Sequence, residues 1–172
     1  MSSIPTVAPR TGRELLTDEE FAAVTATVLD NNPGMRMVTA ERIAEQALAF
    51  VATAAGTELP LAPSRVVDEG WHALILHTRL YEALGNRLGQ FVHHVPERPD
   101  STRAAYDPDW LPRTTDAIRQ AGYEVDEDLW RGPEDVTVPV RAPAQHTPKG
   151  PNCTVIQPKP KPKPTTASAG TV

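Results

Sequence analysis

From Thr17 to Leu88 the apolar residues recur in steps of three, four or seven. That spacing lays them along one face of successive helices; a sheet would need strict alternation. Thr17-Asp18-Glu19-Glu20 is a capping box, with Leu16 and Phe21 in staple positions around it. Phe21, Val24 and Val28 supply the first stripe, and Asn31-Asn32-Pro33-Gly34 ends it. A second start falls at Thr39, with Val38 and Ile43 in staple positions around it. Its stripe runs through Ile43, Ala47, Phe50, Val51 and Ala54, with Gly56 as C-cap. The third helix starts near Ser64 and reads as the longest. Val67, Trp71, Leu74, Thr78, Tyr81 and Leu88 form its face, and Gly85 and Gly89 weaken its end. Residues 110–121 give a fourth, with Leu111, Thr115, Ile118 and Ala121 on one side and Gly122 after it. Val125, Leu129 and Trp130 make a short closing turn.

Composition changes at Gly132. Nine of the eighteen prolines lie in 133–172, and Lys159 to Pro164 alternates strictly. Such a segment buries too little apolar surface to offset its ordering entropy and favours extended polyproline II. The expected organisation is an all-α domain, a small bundle of about four helices over residues 15–131. A loose arm (1–14) precedes it and a disordered Pro/Lys-rich tail (132–172) follows. All four lysines lie in the last 24 residues, which contain no acid, so residues 1–148 hold 13 arginines against 22 acidic groups, a formal −9. An acidic body argues against nucleic acid, whose phosphates need clustered cations. One cysteine, Cys153, excludes an internal disulfide and a cysteine-rich metal site. The first residues lack the basic start and apolar run of a signal peptide, and no stretch nears the roughly 20 apolar residues of a membrane span. The expected location is the cytoplasm.

The polar residues that could do chemistry gather between 68 and 94. Asp68 and His72 stand four apart and share a helical face. A carboxylate beside a metal-ligating imidazole has this spacing; so does an ordinary ion pair. His77 is turned roughly 140° from His72 and lies outside the set. The spacing is not that of zinc proteases, since Ala73 stands where their glutamate would be. Whether His93 or His94 can reach His72 is a question of length. An unbroken helix from His72 to Leu88 carries the chain ~24 Å, and five extended residues return at most ~17 Å. A break at Gly85 shortens the outward leg to ~20 Å and lengthens the return to ~27 Å. A shared site therefore needs an early break. Without one, the two histidines serve as loop caps.

Val67-Asp68-Glu69-Gly70-Trp71-His72, Ile75-Leu76-His77-Thr78, Tyr81, Gly89 and His93-His94-Val95-Pro96 together resemble the motif block of the glycine-rich domain-containing proteins. The resemblance covers about 63–100, with weaker support to Trp130. It implies a helical domain in which Asp68, His72, His93 and His94 form a real site. The chain departs from that pattern in two places. The cysteine found a few residues after the tyrosine is absent near Leu84-Gly85, and the glycine-rich segment is missing.

Three functions are compatible with these residues. The leading one is a divalent metal, zinc or iron, held by His72 and His93 or His94 with Asp68 beside or behind them, with the reaction undefined. The second is a non-catalytic scaffold whose Pro/Lys tail binds a protein partner. In the third, Cys153 on the tail is modified.

Overall fold

The protein is described by a computed structural model covering residues 8–96, 107–141 and 153–156. Among these residues five α-helices carry the fold: α1 (Asp18–Asn31), α2 (Met37–Ala55), α3 (Arg65–Leu76), α4 (Thr78–Leu88) and α5 (Trp110–Gln120). Two four-residue strands, β1 (His93–Pro96) and β2 (Cys153–Ile156), form an antiparallel ribbon with His94 opposite Val155. The all-α expectation holds, with one more helix than the sequence suggests.

α1 begins as its capping box dictates. The Glu20 amide donates to the Thr17 hydroxyl (3.2 Å), and the Thr17 amide donates to the Glu20 carboxylate (2.9 Å). α2, not the third helix, is the longest, and it forms the centre of the core. It starts at Met37 behind Arg36, which gives no side-chain cap, and Val38 is exposed, so the anticipated staple at Thr39 does not form. Ile43, Leu48 and Phe50 are fully buried, and alanines at 40, 44, 47 and 49 leave room for neighbouring backbones. Gly70 uses that room. A Cβ there would fall 2.8 Å from the Ile43 carbonyl oxygen and 2.9 Å from the Ala47 Cβ, so α3 can approach α2 this closely only through glycine.

α3 is fixed at its start by Ser64. The Ser64 hydroxyl accepts from the Val67 amide (3.1 Å) and donates to the Leu129 carbonyl (2.6 Å). The closing turn packs as expected: Leu129 and Trp130 are buried, and the Trp130 indole N–H donates to Gln46 (2.7 Å). Phe50 lies edge-on to Trp71, with ring centroids 5.2 Å apart.

Contacts with the body extend beyond residues 15–131 at both ends. Arg10 bonds the backbone at Gly122 and Glu124, and Gly12 opens a short 3₁₀ turn against α2, where a Cβ would overlap the Glu45 carbonyl. Residues 1–7 of the proposed arm lie outside the described residues. At the other end Arg65 donates to the carbonyls of Asp135, Val138 and Val140, and the Arg141 amide donates to the Asn32 side chain (2.7 Å). The stretch after Gly132 is proline-rich but ordered as far as Arg141, because side chains of the body satisfy its carbonyls. Of the remaining tail, 142–152 and 157–172 lie outside the described residues.

Candidate metal centre

The sequence reads 64–88 as one helix breaking, if anywhere, at Gly85. The break occurs earlier. Helical geometry is lost at His77 (φ −84°, ψ 65°), which ends α3 and opens α4. The His77 ring turns aside to Thr27, with Nε2 2.8 Å from the hydroxyl. Gly85 is buried inside α4 and continues it, and the chain reverses at Gly89, a left-handed residue (φ 78°). α4 then carries the chain only ~15 Å, and six extended residues from Leu88 to His94 reach up to ~20 Å. The joint at His77 thus does what a break at Gly85 was expected to do.

A relay of hydrogen bonds fixes the returning segment. The Trp71 indole N–H donates to the Tyr81 hydroxyl (2.9 Å), which donates to the Val92 carbonyl (2.5 Å). Burial pushes the Tyr81 hydroxyl up to about 12, so it keeps its proton. Trp71 and Tyr81 Cα atoms would lie ~15 Å apart along one straight helix; the bond between their side chains reports the bend. β1 starts one residue after Val92, and its pleat separates its two histidines. His94 turns inward, its ring 4.6 Å from Trp71 and 4.7 Å from His72. His93 is exposed and lies against Phe91, with ring centroids 4.8 Å apart.

Asp68, His72 and His94 therefore meet, and His93 does not join them. His72 Nε2 lies 3.0 Å from His94 Nε2 and 3.5 Å from Asp68 Oδ2, and His94 Nε2 lies 3.2 Å from Asp68 Oδ1. Asp68 is fully buried, the His94 side chain is 12 % exposed and that of His72 34 %. A ring nitrogen carries either one proton or one lone pair, yet His94 Nε2 faces both an imidazole nitrogen and a carboxylate oxygen. Asp68 Oδ2 is buried with no hydrogen-bond partner, since its contact with His72 is long and lacks bonding geometry. Leaving a buried carboxylate oxygen unpaired is costly. One cation inside the triangle satisfies all three groups. Ligands ~2.0–2.1 Å from a tetrahedral metal stand about 3.3 Å from one another; the two imidazole nitrogens are 3.0 Å apart and approach different oxygens of the one Asp68 carboxylate. The group is able to hold a metal ion, and His72, the most exposed member, marks the side open to solvent.

A cleft of about 220 Å³ borders His94 on its other side, lined by Ile75, Thr78, Tyr81, Phe91 and His93. Glu69, next to Asp68, was not singled out from sequence. It too is buried (3 % exposed), but it accepts from the Asn32 amide (3.0 Å) and serves the fold. Its partner lies 37 residues earlier, beyond what helical spacing encodes.

Among known families, the UCP032817-like family matches residues 13–106, more than half of the chain and all four candidate ligands. Nothing supports the glycine-rich domain-containing family that the motif block resembles. No curated protein and no solved structure matches the chain.

Proposed function

We propose, for a chain that belongs to the UCP032817-like family, that it is a helical protein binding one divalent metal, zinc or iron, through Asp68, His72 and His94. The observation that carries this reading is the fully buried Asp68 carboxylate, one oxygen of which has no hydrogen-bond partner, beside two converging imidazole nitrogens. Two histidines and a carboxylate are a ligand set that zinc and non-haem iron both accept. Three protein ligands leave at least one position for water or substrate, the arrangement of reactive rather than purely structural sites. A bound metal supplies Lewis acidity there. The protein's own part is positional: Trp71 walls the inner side of His94, the Tyr81 relay fixes the strand that carries it, and Asp68 supplies the negative charge. The 220 Å³ cleft beside His94 has room for a small apolar group.

Metal analysis of untagged protein tests the reading. Wild type should retain close to one equivalent of zinc or iron, and His72→Ala and His94→Ala should each lose it while keeping the helical signal. Equal metal content in wild type and both variants would overturn it.

A further inference from the structure

A cleft of about 650 Å³ lies away from the candidate metal centre, between the α1–α2 turn and the segment 138–141. Its volume falls within the range of small-molecule sites. Pro33, Met35, Val138 and Val140 supply apolar wall, and Arg36 and Arg141 bring cations to it. Its lining contains no acidic residue, although the body around it carries a formal −9.

The two arginines differ from most others in this protein. Arg10, Arg13, Arg42, Arg87, Arg113, Arg119 and Arg131 all lie against carboxylates. Among the described residues neither Arg36 nor Arg141 has an ion-pair partner, and both are exposed. The walls between them are held firmly. Asn32 Oδ1 accepts from the Arg141 amide, and Arg65 holds the Val138 and Val140 carbonyls at 3.1 Å. The cleft also opens at the start of α2, whose N-cap lacks a side-chain acceptor, so the positive end of a 19-residue helix adds to the two guanidinium charges. Residues 142–172 carry lysines and no acid and do not complement such a surface.

We infer that this cleft is a binding site for a small amphiphilic carboxylate, whose apolar body lies on Met35, Val138 and Val140 and whose carboxylate is shared by Arg36 and Arg141. The anion pairs with planar forks suited to it, and the chain leaves water for an apolar wall.

Calorimetry and amide NMR with three probes test this on the full chain: decanoate below its micellar range, decanol and acetate. Decanoate should bind and shift amides confined to Asn31–Thr39 and Val138–Arg141. Decanol, without the charge, and acetate, without the chain, should each bind at least tenfold more weakly. Arg36→Gln with Arg141→Gln should lower decanoate affinity at least tenfold. Both side chains are exposed, so the pair should leave the melting temperature in place. No decanoate binding, equal binding of decanol, shifts elsewhere in the protein, or unchanged affinity in the double variant would each overturn the inference.

Discussion

Asp68 and Glu69 are adjacent on α3, both buried and both acidic, yet they belong to two different regions. Glu69 lies in a clasp. Asn32 donates to it, accepts from the Arg141 amide, and donates to the Val28 carbonyl, so one amide side chain ties α1, α3 and the C-terminal segment together. Asp68 lies in the triangle, where its neighbours are two titratable rings and one of its oxygens has no hydrogen bond. In the clasp each polar group meets a complementary one within the protein. In the triangle one carboxylate oxygen is left without a hydrogen bond, although two imidazole nitrogens stand beside the group. Burial of a carboxylate is therefore uninformative about role; whether its lone pairs are already taken is informative.

The comparison breaks most visibly at its acidic members. Asp68→Asn should weaken zinc binding at least ~100-fold, equivalent to about 2.7 kcal/mol, without lowering the stability of the metal-free protein, because a buried charge with one oxygen lacking a hydrogen bond is removed. Competition with a chromophoric chelator and a metal-free melting curve read both quantities. If metal affinity stays and stability falls, Asp68 is structural like its neighbour. Asn32→Ala is the converse, at a cost of about 1–3 kcal/mol for buried hydrogen-bond groups left without their partner. Its zinc affinity should match wild type; a joint loss would mean that clasp and triangle are one unit. Tyr81→Phe should be milder, about 1 kcal/mol by denaturant unfolding. Loosening of β1 should also reduce zinc affinity severalfold, and an unchanged affinity would show that the relay does not position His94. Least of all, His93→Ala should leave zinc affinity unaltered and stability within ~0.5 kcal/mol, as for other exposed positions. A loss of metal there would place His93 in the centre after all.

Local chemistry made much of this legible. Thr17 with Glu20, the Phe21–Val28 stripe and the burial of Trp71 follow from spacing alone, because they depend on residues within one or two turns. So does the pairing of Asp68 with His72. A shared site needs an early break, and glycine makes bending cheap at Gly85. His77 breaks the helix instead, and its ring meets Thr27 fifty residues away, a contact that helical periodicity does not encode. Residues 133–141 were obscured for a related reason. Their own composition offers no stripe to bury, and their order comes from Arg65 and Asn32 far upstream. Choosing His94 over His93 needed the strand between Val92 and Pro96, which two adjacent histidines do not specify.

The one-residue joint at His77 has a consequence for how such a gene can change. Adding or removing a single residue in a helix turns everything beyond it by about 100°. Between Asp68 and Tyr81 such a change would carry the Tyr81 hydroxyl off the Trp71 indole and pull β1 away from α3. Substitutions there alter one contact at a time; a gained or lost codon misaligns the ligands all at once. This segment is held to its length as well as to its key residues.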